Sequence, residues 1–179
     1  MKTILILIIT LLLVSCGGPS MKIATFETNQ GTFNVELNTK LAPITTANFI
    51  KLTESGFYDN SKFHRVIPNF MIQGGDPLSK DNSKKSSWGT GGPGYEIKDE
   101  FNPELSNIRG TISMANAGPD TGGSQFFINV VDNDYLDNKH AVFGTVTEGM
   151  GVVDKISRVK TESQNRPVED VIITKVTIS

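Results

Sequence analysis

Short apolar runs punctuated by glycine, asparagine and proline dominate this chain, and two of them carry polar groups that packing does not explain. Phe63 to Asp76 reads FHRVIPNFMIQGGD and holds Arg65 and Gln73, while Met114 to Ile128 reads MANAGPDTGGSQFFI and holds Asn116 and Gln125. Both read as short strands. Lys22 to Thr28 and Gly31 to Leu37 flank an Asn29-Gln30-Gly31 turn. The second run alternates Phe33, Val35 and Leu37 with Thr32, Asn34 and Glu36, the pattern of a hairpin with one buried face. The C-terminal run alternates too, with Ile172, Val176 and Ile178 on one face. Helical spacing occurs twice. Pro43 opens one segment in which Ala47 and Ile50, and Phe49 and Leu52, stand three apart before Gly56 stops it; Gly149 to Ser157 places Val152 and Ile156 four apart. Many short strands and two helices predict one mainly β domain over residues 21–179, a barrel capped by helices.

The N-terminus is a different kind of sequence. Lys2 precedes an apolar run from Ile4 to Val14, broken only by Thr10. It is too short to span a bilayer, which takes about 20 residues, and it matches the apolar core of an export signal over residues 1–15. Leu13-Val14-Ser15-Cys16 resembles the lipobox of bacterial lipoproteins, a likeness that implies cleavage before Cys16 and diacylglyceryl modification of its sulfur. Cys16 is the only cysteine, so no internal disulfide is available to it. Residues 17–20 would then be a tether reaching roughly 13 to 14 Å when extended. The expectation is an exported protein anchored by lipid to a bacterial membrane, on the periplasmic side in a two-membrane envelope. Met21 also offers an internal start that would give a lipid-free form.

Several chemistries can be set aside. Net charge is −2, which gives no reason to expect nucleic acid as a partner. Gly89-Thr90-Gly91-Gly92-Pro93-Gly94 has the glycine spacing of a dinucleotide motif, but a Lys/Ser loop precedes it where a buried strand is needed. Asp132, Asp134 and Asp137 suggest a calcium loop, yet Leu136 stands where an oxygen ligand is required. With His64 and His140 the only histidines, a transition-metal site has too few ligands. No cofactor, metal or covalent nucleophile is expected. Leu78 to Trp88, with Lys80, Lys84 and Lys85, reads as a solvated surface loop, and Asn116 to Ser124 as a glycine-rich loop.

The blocks at 63–76 and 114–128, followed in order by YLDNKHAVFG (Tyr135 to Gly144), closely resemble the signature segments of the cyclophilin family of peptidyl-prolyl cis-trans isomerases. The likeness covers essentially residues 21–179. It implies a closed eight-stranded antiparallel β-barrel with a helix at each end, and an enzyme that rotates X-Pro bonds. For an exported form the substrates would be exported polypeptides whose folding it assists.

Such an enzyme needs no nucleophile. It must bind the twisted amide better than either planar form, and in the twisted form the proline nitrogen becomes a hydrogen-bond acceptor. Arg65 supplies a permanently charged fork of donors, and the resemblance makes it the principal catalytic residue. By the same resemblance Phe70, Met71, Phe127 and Leu136 line a pocket for the proline ring, with His140 at its edge. Gln73 and the backbone of Asn116 hold the substrate main chain, Gln125 orients the set, and Ala115 and Ala117 are small where the peptide lies close. Tyr135 stands where eukaryotic members carry a tryptophan that bonds cyclosporin, so weak cyclosporin binding is expected. The alternatives are a non-catalytic holdase using the same groove, against which the retention of Arg65, Phe70, Met71, Gln73 and Phe127 counts, and an adhesin, for which no further domain is present. A monomer is expected.

Overall fold

The computed structural model describes residues 21–179; the signal segment 1–15, Cys16 and the tether 17–20 lie outside the described residues. The first hairpin forms as the alternation requires, from β1 (Lys22–Thr28) and β2 (Gly31–Leu37) paired from Lys22↔Leu37 to Thr28↔Gly31. The remaining strands are β3 (Ser61–Lys62), β4 (Arg65–Ile67), β5 (Met71–Gly74), β6 (Thr111–Met114), β7 (Phe126–Asn129), β8 (Val142–Glu148) and β9 (Ile172–Ile178). All pairings are antiparallel, in the order β3-β9-β1-β2-β8-β6-β7-β5-β4.

The architecture is mainly β with two α-helices, but the closed eight-stranded barrel is not what this ladder forms. It is a curled sheet of nine strands, open between β3 and β4. The reason is local. β3 and β4 are consecutive pieces of one segment interrupted at Phe63-His64, where Phe63 N–H still donates to Val171 O (2.9 Å) before the chain turns to pair with β5. The two signature segments are likewise divided. Residues 63–76 form β4 and β5 around a turn in which Asn69 is left-handed (φ 56°), and residues 114–128 hold the end of β6, a loop and β7.

Helix α1 (Pro43–Glu54) has proline in its first turn and stops before Gly56 (φ +70°). Phe49 and Leu52 face the core; Ala47 is exposed. Helix α2 (Met150–Ser157) buries Val153 and Ile156. Aromatic packing fills the interior. Phe26 stacks on Phe33 at 4.7 Å, and Phe126 meets Phe49 and Tyr58 edge to face at 5.9 and 5.6 Å. Each fully buried side chain of this size contributes about 1.5–3 kcal/mol. β9 departs from simple alternation. Its pairing with β1 shifts at Glu27/Thr28, so Ile173 and Val176 are the buried residues and Ile172 is only half-buried.

Leu78 to Trp88 is more ordered than a solvated loop. Two 3-10 turns (Pro77–Lys80 and Asn82–Ser87) fold it back on the sheet, Ser79 and Trp88 are buried, and the Trp88 ring lies under Lys62 Nζ at 4.6 Å and Arg166 at 5.3 Å. These cation–ring contacts and the Lys85–Glu162 ion pair (2.8 Å) dock a lysine-rich segment that composition alone leaves in solvent.

Candidate active site

Alternation along β4, β5 and β7 separates core from site. Val66, Ile72, Phe126 and Ile128 are wholly buried on the inner face. Arg65, Met71, Gln73 and Phe127 therefore occupy the outer face. The register Arg65↔Gln73, Gln73↔Phe127 and Phe127↔Ser113 puts Arg65, Gln73 and Phe127, with Ser113, in one row across the sheet.

The polar end of the row is a chain of directed hydrogen bonds. Arg65 Nη1 donates to Gln73 Oε1 (3.1 Å), Gln73 Nε2 donates to Gln125 Oε1 (3.0 Å), and Gln125 Nε2 donates to the carbonyls of Gly89 (2.9 Å) and Gly91 (2.8 Å). Arg65 is half-buried. Burial lowers its pKa from the usual value, and a guanidinium still keeps its charge. Gly75 brings this segment close: its φ is +84°, and a Cβ there would stand 2.4 Å from Ser124 O, beside Gln125.

The apolar end has a buried floor, covered at its edge by residues 135–140. Met71 and Phe127 are buried although they point outward. His140 meets Phe127 edge to face at 5.3 Å, and Tyr135, itself exposed, lies nearly parallel to Phe70 at 6.3 Å. Leu136 is half-buried on the 3-10 turn Asp134–Leu136, and its carbonyl accepts from His140 N–H (3.1 Å). His140 Nδ1 stands 3.2 Å from Met114 O, a contact that needs a proton on Nδ1. Burial lowers the His140 pKa, partly offset by that carbonyl, so the ring is neutral at pH 7.

Three asparagines that sequence reasoning passed over hold this cover. Asn133 Nδ2 donates to Phe70 O (2.9 Å) and to Asn129 Oδ1 (2.8 Å); Asn107 Nδ2 donates to Asp137 Oδ1 (3.0 Å) and His140 O (3.3 Å); Ser113 Oγ donates to Asn107 Oδ1 (2.7 Å). The legible signal was Asn129, a polar residue closing the apolar run FFIN.

Beside the row opens a cavity of about 850 Å³, lined by Gln73, the loop Gly89 to Glu96, Ala115, Asn116, Ala117, Thr121 and Gly123 to Gln125. The glycine run set aside as a dinucleotide motif is thus one wall of the site. Ala115 N–H donates to Gln125 O (2.9 Å). Asn116 Nδ2 donates to Lys139 O (2.7 Å), joining this loop to the pocket cover, while Ala117 lies exposed with its N–H on Thr121 Oγ1 (2.8 Å). Of the expected residues, Arg65, Met71, Gln73 and Phe127 share this outer face, His140 packs on Phe127, Tyr135 on Phe70, and Ala115, Asn116, Ala117 and Gln125 line the adjoining cavity; Cys16 lies outside the described residues. Among the described residues no group of three or more His, Cys, Asp or Glu is placed to hold a metal ion.

Residues 23–178 match the family model described as cyclophilin type peptidyl-prolyl cis-trans isomerase/CLD. The chain belongs to the cyclophilin-type peptidyl-prolyl cis-trans isomerases. It is an enzyme of that activity, and its cyclophilin domain is similar to the peptidyl-prolyl cis-trans isomerase-like 1 proteins of the fungus Gibberella zeae (46% identity over 85% of this chain and 91% of that one) and of Homo sapiens (45% over 83% and 87%). A crystal structure of a Cryptosporidium parvum cyclophilin superposes with a TM-score of 0.81 at 32% identity, covering 89% of this chain and 98% of the other. A second crystal structure of that cyclophilin, in the presence of the dipeptide Ala-Pro, superposes with a TM-score of 0.80.

Proposed function

We propose that Arg65 is the catalytic residue and that the row beside it sorts the substrate by polarity. Amide resonance opposes rotation with a barrier of about 18–20 kcal/mol, and no bond breaks on the way over it. The proline ring enters the pocket of Phe70, Met71, Phe127 and Leu136, with His140 at its edge. Gln73 and the Asn116 backbone hold the main chain on one side while the carbonyl on the other side turns. As the nitrogen loses conjugation, the guanidinium donates to it, an interaction stronger in the twisted state than in either planar one. Gln125 orients the polar groups, and Ala115, Ala117 and Tyr135 form the rim. The observation that carries this reading is the register placing Arg65 and Phe127 on either side of Gln73 on one face. The Ala-Pro dipeptide present with the Cryptosporidium cyclophilin supports a proline-containing peptide as the ligand. Arg65→Ala tests it through the isomerisation rate of a proline tetrapeptide; near-wild-type turnover by a folded variant overturns the role.

The site acts on exported polypeptides, and the protein is a bacterial lipoprotein anchored through Cys16. What supports this is Leu13-Val14-Ser15-Cys16 after a short apolar run; the relatives named above are eukaryotic and give it no support. One acyl chain gives marginal binding and two give stable anchoring. Cys16→Ser should therefore move the protein out of the membrane fraction, and an unacylated mature terminus by mass spectrometry overturns the reading.

A further inference from the structure

Gln73 and Gln125 are primary amides, whose oxygen and NH2 ends have nearly the same shape and opposite hydrogen-bonding character. Left to itself, Gln73 could turn its NH2 toward the guanidinium and set donor against donor. Something must choose the orientation that presents oxygen to Arg65.

The choice is made at the far end of the chain. Both carbonyls facing Gln125 Nε2, those of Gly89 and Gly91, are acceptors only, so the Gln125 NH2 must face them and its oxygen must face Gln73. Gln73 then has its NH2 occupied and turns its oxygen to Arg65. Those two carbonyls are in turn fixed by Asp76. This carboxylate is fully buried. Oδ1 accepts from Leu78 N–H (2.7 Å), and Oδ2 accepts from Gly89 N–H and from Gly91 N–H (3.3 Å). Asp76 thereby clasps the start and the end of the 77–88 segment and sets the backbone of its exit. The clasp leaves no room for a side chain: a Cβ on Gly91 would stand 2.1 Å from Asp76 Oδ1.

We propose that Asp76 is a positioning residue for Arg65: by holding Gly89 and Gly91 it fixes the amide orientation of Gln125 and Gln73, and so aims the guanidinium. The inference rests on the catalytic reading of Arg65.

The test uses the full chain with Asp76→Asn, Gly91→Ala and Lys85→Ala, the first two also combined with Arg65→Ala. kcat and KM come from exchange spectroscopy of a proline tetrapeptide, and the 15N signals of the Arg65 guanidinium are followed in parallel. Asp76→Asn and Gly91→Ala should each lower kcat about tenfold, the scale of one misdirected hydrogen bond. The loss should fall mainly on kcat, since the apolar pocket is untouched and only the grip of Gln73 on the substrate main chain can shift KM, and neither change should slow the enzyme further once Arg65 is gone. The guanidinium resonances, resolved in the wild type by restricted rotation, should average in both variants. Lys85→Ala, which removes the ion pair to Glu162 without touching Asp76, should leave kcat and these signals alone. A folded Asp76→Asn with wild-type kcat and unaveraged signals overturns the proposal, as does an equal loss with and without Arg65, or an equal loss in Lys85→Ala. Should Asp76→Asn not fold, Gly91→Ala decides by the same criteria. Averaged signals with wild-type turnover in Arg65→Ala would overturn the catalytic reading alone and leave the positioning standing.

Discussion

The two ends of the row Arg65–Gln73–Phe127 are held in place by opposite means. The polar end is a single file of directional hydrogen bonds, from Arg65 through Gln73 and Gln125 to two backbone carbonyls, lying at the edge of an open cavity. The apolar end is packed, with Phe127 buried against His140 at the pocket edge and that edge tied down by Asn107, Asn129 and Asn133. The two histidines follow the same division. His64 lies buried beneath the polar end, where a Cβ on Gly89 would come within 3.6 Å of its Nε2, whereas His140 is half-buried at the pocket edge. Aim depends on one file of bonds that can fail at any link, while the pocket rests on many small contacts. Changes at the polar end should therefore alter rate, and changes at the apolar rim should alter binding.

The largest expected effect breaks the file at its head. Arg65→Ala should lower kcat by about 10² to 10³, the usual cost of losing one positioned donor to developing charge, with KM and the circular dichroism spectrum little changed. A rise in KM carrying the whole loss would make the polar end a binding surface and erase the division of labour.

Next comes acid. Burial lowers the His64 pKa from 6.5 to about 4, despite the opposing charge of Asp76. Above pH 6.5 the ring is neutral folded and unfolded, and contributes no pH dependence. As pH falls below 6.5 the unfolded chain binds a proton that the folded protein refuses, so stability declines, and the loss is complete below about pH 4. The full shift is about 3 kcal/mol. His140 is lowered in the same direction at its half-buried place and adds the same sign. Denaturant titrations at pH 7.0 and 4.5 should show the wild type losing more stability on acidification than His64→Gln, with the steeper slope in the wild type. Parallel slopes would show that His64 is not the acid-sensitive group under the polar end.

The smallest effect is at the apolar rim. Tyr135 is exposed and nearly parallel to Phe70 at 6.3 Å. Replacing it by tryptophan adds apolar area and an indole donor. Tyr135→Trp should tighten cyclosporin inhibition by about tenfold, from a hydrogen bond of about 1 kcal/mol plus packing, with kcat on the tetrapeptide unchanged. A changed kcat with unchanged inhibition would reverse the roles assigned to rim and file.

Much of this was readable in the chain. The β1–β2 hairpin and both helices follow from residue type and period, while the resemblance of residues 63–76 and 114–128 to the family's segments is what joined Arg65, Gln73 and Phe127. What stayed hidden shares one property, dependence on partners far away in sequence. Trp88 is buried because Lys62 and Arg166 meet its ring. Asn107 and Asn133 matter because the fold carries Phe70 and His140 to them. The glycine run 89–94 has no strand before it, so it fails as a nucleotide motif, and nothing local shows that its carbonyls meet Gln125.

By itself the sequence determined which faces are apolar, where helices start and stop, and which polar side chains stand among strand residues, because period and turn chemistry are local properties. Only the tertiary structure decided that the strand breaks at Phe63-His64 and leaves the ladder open, that β9 buries Ile173 in place of Ile172, and that Gln125 turns its oxygen to Gln73 and Gln73 its oxygen to Arg65. Those outcomes are set by register and by the acceptors opposite each group. Hydrogen bonds between residues so far apart in the chain take their direction from the folded backbone.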